Sequence, residues 1–243
     1  MTTTYTLTDE ALGGLVAAQF GPLPPEPAAN RVALHQAYAL WRDRNVQLSQ
    51  YPTPLDLAHY FVGELFATDW LAGRTATLLE TSAGSGALLE PLAAAIREGM
   101  FDATAYEIDP IPCLVGSRLF PQVTWYNRSP ETDLAALQGR FDVVVSNPPW
   151  RRSVFTGVGE LKAAYEFATW DREQLFLALA IDALRVGGRA MVLLPPNCLS
   201  QLTQEFWDWL QARCSTYRVL PAPEWSGRWQ NEIVATYWER SYD

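Results

Sequence analysis

The segment Phe141-Asp-Val-Val-Val-Ser-Asn-Pro-Pro-Trp150 is an apolar run that ends on an asparagine, two prolines and a tryptophan. Those residue types in that order suit one chemical task. A planar amino nitrogen is a poor nucleophile because its lone pair is delocalised into a ring or a carbonyl. The side-chain oxygen of Asn147 and the carbonyl of Pro148 can accept its two N–H bonds, favouring the pyramidal, more nucleophilic form toward an incoming electrophile. Pro149 stiffens the turn so that this geometry is preset. Trp150 supplies a flat face on which a planar target can stack. Arg151-Arg152, the only adjacent basic pair in the chain, comes next and can bind phosphates flanking an extruded nucleotide. The loop that follows, to about Trp170, has the length of a flap over a pocket.

A second group of residues suits a nucleotide-like ligand. Leu78-Leu-Glu-Thr-Ser-Ala-Gly-Ser-Gly-Ala-Leu-Leu89 reads as a strand, a small-residue loop and a helix. Gly84 and Gly86 let the backbone approach a ligand closely, and the following helix presents unpaired N–H groups toward it. About twenty residues on, Ala105-Tyr-Glu-Ile-Asp-Pro110 sets Glu107 at a strand end, where a carboxylate can accept both hydroxyls of a ribose. Ile108 would lie against an adenine face, while Asp109 can cap the next helix. Upstream, Tyr51-Pro-Thr-Pro-Leu-Asp-Leu-Ala begins a helical spacing, with Thr53 a sound N-cap and Pro54 suited to the first helical position.

The elements that must position these residues follow from the hydrophobic pattern. Beyond Tyr51, short apolar runs alternate with longer amphipathic stretches, the signature of βα units and a mainly parallel sheet. Strands are predicted near Ala76–Glu80, Ala103–Ile108, Val123–Tyr126, Asp142–Ser146 and Ala190–Leu194. Helices are predicted at Gly86–Glu98, Ile111–Leu119, Asp133–Leu137 and Arg172–Leu184, with Gly187-Gly188 turning into the fifth strand. The tail reads as helix Gln201–Arg213, strand Thr216–Leu220, a loop rich in proline and tryptophan, and strand Ile233–Glu239. No helical pattern separates those two late strands, so an antiparallel hairpin at the sheet edge is expected. The first fifty residues read as a helical extension, with helices near Asp9–Gln19 and Asn30–Leu48 flanking the proline-dense stretch Gly21–Pro27. The organisation is therefore 1–50, extension, and 51–243, an α/β catalytic domain of seven strands with helices on both faces.

Composition bounds the function classes. With 243 residues, 49% of them apolar, the chain can bury the core of one α/β domain. Neither a membrane span nor a signal peptide is visible, and a cytoplasmic protein is expected. The three cysteines, Cys113, Cys198 and Cys214, and two histidines are too scattered for a metal-ligand set. A net charge of −9 argues against strong non-specific grip on a polyanion, although a local basic cleft can coexist with an acidic remainder. Seventeen of the eighteen basic residues are arginine, the side chain suited to bidentate phosphate contacts.

Taken together, Glu80-Thr-Ser-Ala-Gly-Ser-Gly86, Glu107 and Asn147-Pro-Pro-Trp150 resemble the motifs of class I S-adenosylmethionine-dependent amino-methyltransferases. The resemblance is closest to N6-adenine DNA methyltransferases of the gamma arrangement. It implies a Rossmann-like fold, S-adenosyl-L-methionine as cofactor, and Asn147–Trp150 as the catalytic motif. It implies cofactor contacts from Glu80, Ser82, Ala83, Gly84, Gly86, Glu107, Ile108 and Asn147. The Thr53-Pro54 segment is similar to one that covers the methionine end of the cofactor in that family, which adds Thr53 and Tyr51. Where the family often has an Asp that reads the cofactor's adenine amino group, this chain offers Asn127, with Asp133 as the alternative.

The activity so implied is methyl transfer to the N6 amino group of adenine in DNA, with Trp150, Arg151 and Arg152 at the target. Adenine in RNA, a protein glutamine amide, and an idle subunit that binds a partner are the alternatives. Gamma-type enzymes that act alone usually carry a target-recognition domain after the core, and this chain stops at the last expected strand. Sequence recognition is thus expected to be minimal, to lie in the flap and extension, or to come from a separate specificity subunit or a homodimer, in a setting such as restriction-modification. The tail-loop tryptophans Trp225 and Trp229 either stack on the target or pack the hairpin.

Overall fold

A computed structural model describes residues 53–67, 74–150, 163–165 and 171–242. The extension 1–50 with its two predicted helices, Tyr51, Arg151, Arg152 and most of the predicted flap lie outside the described residues.

Within them the alternation read from sequence becomes a chain of βα units. Helix α1 (Leu55–Leu65) precedes β1 (Ala76–Glu80), followed by α2 (Ala93–Arg97), β2 (Phe101–Tyr106), α3 (Pro110–Leu119) and β3 (Thr124–Tyr126). Then come α4 (Leu134–Leu137), β4 (Phe141–Ser146), α5 (Arg172–Ala183), β5 (Leu184–Leu194), α6 (Gln204–Arg213), β6 (Cys214–Pro221) and β7 (Val234–Arg240). These seven strands form one sheet in the order β3-β2-β1-β4-β5-β7-β6. Strands β1 to β5 pair in parallel, and β7 pairs antiparallel with both β5 and β6, which is the edge hairpin expected from the tail.

Both faces of the sheet are covered. On one, Leu78, Val143, Val145, Met191 and Leu193 pack with residues of α1, α2 and α3. On the other, Leu79, Val144, Ala190, Val192 and Leu194 pack with α4, α5 and α6. Every residue of β4 is buried, as a strand enclosed on two faces requires, and its sequence is correspondingly an almost unbroken apolar run. Among the described residues no helix is long and apolar enough to cross a membrane.

Three local expectations are corrected. The helix predicted from Gly86 does not form there: the chain turns through Leu89, makes a 3-10 turn at Glu90–Leu92 and becomes α-helical only at Ala93. Gly86 has φ 88°, and Pro91 would clash with the carbonyl four residues before it in a continuous helix. The turn predicted at Gly187-Gly188 is a bulge inside a longer β5, since Leu184 already pairs with Phe141 before pairing resumes at Val143 and Arg189. A Cβ on Gly188 would lie 2.9 Å from the Phe141 carbonyl, so the close approach of β4 demands glycine. Finally, Thr53 does not cap α1. Pro54 occupies the N-cap position with no side-chain cap, and Asp56 Oδ1 takes the Leu57 N–H at 2.9 Å.

Candidate active site

Strand order reverses direction between β1 and β4, and in open α/β sheets ligands bind outside the carboxyl ends of the strands at that point. Glu80 ends β1, Glu107 follows β2 and Asn147 follows β4, so the topology brings the three predicted groups to one edge.

The loop after β1 is fastened to β2. Ala83 is buried and donates its N–H to the Tyr106 carbonyl at 2.8 Å. The Gly84 N–H donates to Glu107 Oε2 at 2.7 Å, and the Asp109 N–H donates to Oε1 at 2.7 Å. Glu107 is thereby fixed in direction by two backbone donors. Gly84 has φ 56° with open space where a Cβ would stand. Gly86 serves packing instead: a Cβ there would lie 2.6 Å from the Phe120 ring. Beside Glu107, Ile108 is 51% exposed, an apolar side chain left open next to a buried carboxylate.

Glu80 is fully buried, and its Oε2 has no hydrogen-bond partner. Burial, and after it the charge of Glu107, push its carboxyl well above the ordinary carboxylate range. A buried carboxyl whose ionised form is disfavoured by burial is matched by a cationic ligand. S-adenosylmethionine carries a sulfonium and an ammonium, besides a ribose for Glu107 and an adenine for Ile108. The residues present therefore fit this cofactor.

At the end of β4, Asn147 is held from two directions. Its Nδ2 donates to Thr53 Oγ1 at 2.9 Å, and its carbonyl accepts from Ser82 Oγ at 2.9 Å. Ser82 Oγ also lies 3.4 Å from Ser146 Oγ, which in turn bonds Thr81 Oγ1 at 2.6 Å. Thr81 and Ser146 are absent from the sequence-based site. Their signal was a hydroxyl closing each of two apolar runs that prove to be paired, with Glu80 opposite Val145. Pro148 is buried and Pro149 half-buried. Trp150 is 8% exposed and packs in the same apolar cluster as α1, so the stacking face expected of it is covered in this structure.

The two candidates for the adenine amino contact separate. Asp133 Oδ2 is engaged by the Tyr106 hydroxyl at 2.7 Å and by Arg128 at 2.6 Å. Burial alone would raise its carboxyl, but these hydrogen bonds and the Arg128 charge take it below the usual range. Asn127 instead uses its nitrogen on the carbonyls of Glu107 and Ile108, at 2.9 and 3.1 Å, which sets its amide beside the proposed adenine site. In the tail loop, Trp225 is 56% exposed and meets Tyr60 of α1 edge-on at 6.0 Å.

The model of the N-6 DNA methylase family matches residues 124–206, a segment that contains Asn147–Trp150. No curated protein matches the chain. Among solved structures, a Listeria monocytogenes protein described as a class I S-adenosylmethionine-dependent methyltransferase superposes with TM-score 0.72 at 18% identity, over 89% of this chain and 69% of that one. The methyltransferase subunit of a type I restriction-modification system from Streptococcus thermophilus gives TM-score 0.57 at 16% identity, over 86% of this chain and 49% of that one. The type IIG restriction endonuclease BpuSI gives 0.60 at 16% identity, over 88% and 29%. The chain thus spans about half or less of these two restriction-modification proteins.

The fold is the one that this class I S-adenosylmethionine-dependent methyltransferase from Listeria monocytogenes also has. Residues 124–206, which hold Asn147–Trp150, are similar to the N-6 DNA methylase family, in line with the resemblance read from that motif, and S-adenosyl-L-methionine is the cofactor this likeness implies.

Proposed function

We propose that this protein methylates the N6 amino group of adenine in DNA. The observation that carries the reading is Asn147 at the carboxyl end of β4, its amide nitrogen donating to Thr53, so that the amide oxygen is the acceptor end for an N–H of a planar amino target. The match to an N-6 DNA methylase model over that segment supports adenine over other amino targets.

The cofactor supplies an electrophilic methyl on sulfur. Around it, Glu80 provides the counter-charge, Glu107 holds the ribose, Ile108 covers the adenine, and Asn127 accepts from the adenine amino group. Asn147 and the Pro148 carbonyl would hold the two target N–H bonds as the nitrogen displaces the thioether S-adenosylhomocysteine from the methyl in line. They would stabilise the positive charge that develops on the nitrogen, and the extra N–H proton would then leave to solvent. Arg151 and Arg152 neutralise flanking phosphates, and target selection lies in the flap and residues 1–50 or comes from a specificity subunit or a second copy of the chain. Incubation with labelled cofactor and, in parallel, unmethylated genomic DNA, total RNA and cell-extract protein, followed by digestion, tests this directly. N6-methyladenine in the DNA arm is expected. Label confined to protein or RNA would overturn the DNA assignment.

A further inference from the structure

We infer that Thr53 is a positioning residue for Asn147, acting together with Ser82; the inference rests on the amino-methyl transfer proposed above. Resemblance assigns Thr53 to the cofactor, and local sequence rules assign it to a helix cap. The structure gives its hydroxyl to Asn147 Nδ2 instead, across 94 residues of chain.

The placement is built. Thr53 is buried, and Pro54 disfavours helical backbone in the residue before it, which takes Thr53 out of α1. Helix α1 is itself tied to the sheet. The Tyr237 hydroxyl donates to the Phe61 carbonyl at 3.0 Å, and Arg218 reaches Glu64 at 3.0 Å while lying over the Tyr237 ring. The Thr53 hydroxyl is therefore presented by an anchored element, not by a loose segment.

The chemical need is specific. Rotation about the last torsion of an asparagine side chain is broad and roughly two-fold, so nothing intrinsic to Asn147 decides which end of its amide meets the target. A turned amide would offer N–H groups to a target amino group that has N–H bonds of its own to donate. Holding Nδ2 at Thr53 removes that arrangement, and the Ser82 bond to the Asn147 carbonyl fixes the main chain from which the side chain projects. Two elements outside β4 thus set one residue's orientation, and one of them is the cofactor loop.

The test compares Thr53→Val, which keeps shape and loses the hydroxyl, with Thr53→Ser, which keeps the hydroxyl. For Thr53→Val, kcat should fall by roughly 10- to 100-fold while the dissociation constant for S-adenosylmethionine stays within about twofold. Thr53→Ser should recover most of the rate. Weakened cofactor binding with kcat intact would make Thr53 a cofactor ligand and overturn the inference, as would an unchanged kcat. A second readout needs no substrate: the side-chain amide signals of Asn147 in a nitrogen-15 spectrum, assigned by their loss in Asn147→Ala. These should move in Thr53→Val and stay in place in Thr53→Ser; unmoved signals in Thr53→Val overturn the positioning role whatever the wild type methylates. Thr53→Ala makes the same deletion if Thr53→Val does not fold. Absence of transfer by the wild type on every substrate would count against the proposed activity alone.

Discussion

The buried carboxyls of Glu80 and Glu107 stand at the ends of adjacent parallel strands, and the charge of Glu107 adds to burial in keeping the proton on Glu80. A cation beside Glu80 favours its ionised form, so binding the sulfonium cofactor lowers its pKa and releases a proton. Cofactor affinity should accordingly rise with pH up to the Glu80 pKa of the free protein and level off above it. Titration calorimetry in two buffers of different ionisation enthalpy measures the released proton, and Glu80→Gln should abolish it. A full proton released by that variant would place the titrating group elsewhere.

The same pair fixes the sign of a stability change. A carboxyl whose folded pKa lies above its ordinary value of 4.5 contributes fully below that value, and the contribution is lost as pH rises through the folded pKa. Without cofactor, Glu80→Gln removes this loss and should melt higher than the wild type at pH 8, by on the order of a few °C for a domain of this size. A lower melting temperature would mean that the carboxylate has a stabilising partner.

Asn147→Ala should reduce kcat by at least about 10²-fold, the usual scale for deleting one preorganised hydrogen-bonding group at a reacting centre. Cofactor binding should persist, because Glu80, Gly84 and Glu107 are untouched. Rapid-quench measurement of single-turnover transfer, beside calorimetric cofactor titration, separates the two quantities, and normal turnover by Asn147→Ala would end the proposed mechanism.

What could be read from sequence follows the reach of each signal. The β1 bounds and the place of Asn147 at the end of β4 were legible because apolar runs and turn residues act within a few positions. Glu107 was legible because the loop-to-acid spacing is set by one βα unit. Thr53 was misassigned because a Thr before a Pro and a helical spacing satisfies the local capping rule, whereas its partner lies 94 residues away. Asp133 was open as an adenine contact until Tyr106 and Arg128, brought to it by the pairing of β2 with β3, occupied it. Trp150 reads as a stacking face from its position after the prolines, whereas its burial in the apolar cluster is a tertiary outcome that no local pattern states.

Asp142, which sequence marks only as the start of a strand, joins β1 to β4 at the edge away from the site. Its Oδ2 accepts from the Thr77 N–H at 2.8 Å and from the Thr77 hydroxyl at 3.0 Å, and its Oδ1 pairs with Arg74 at 2.7 Å and with Arg185. Both arginines are substantially exposed, so solvent screening discounts the ion pairs relative to buried ones. Asp142→Asn should therefore cost about 1–3 kcal/mol, read from denaturant unfolding. Its kcat well below the melting temperature should match the wild type, and a selective loss of kcat would show that strain at this edge reaches Asn147.

The two glycines of the cofactor loop should fail in opposite ways. At Gly86 an added Cβ would stand 2.6 Å from the Phe120 ring at φ 88°, so Gly86→Ala combines a core clash with backbone strain and should destabilise by about 2–4 kcal/mol. Phe120→Leu in the same chain should return the clash part but not the strain part, a non-additivity that a double-mutant cycle in denaturant detects. At Gly84 a Cβ meets nothing within 4 Å, and φ 56° costs an L residue only about 1–2 kcal/mol. That methyl would project into the open space at the loop, so Gly84→Ala should fold yet bind S-adenosylmethionine at least about tenfold more weakly. Equal cofactor affinity in Gly84→Ala would place the cofactor off this loop, since no other loss available to that variant is large enough to mask a methyl group in the ligand's path.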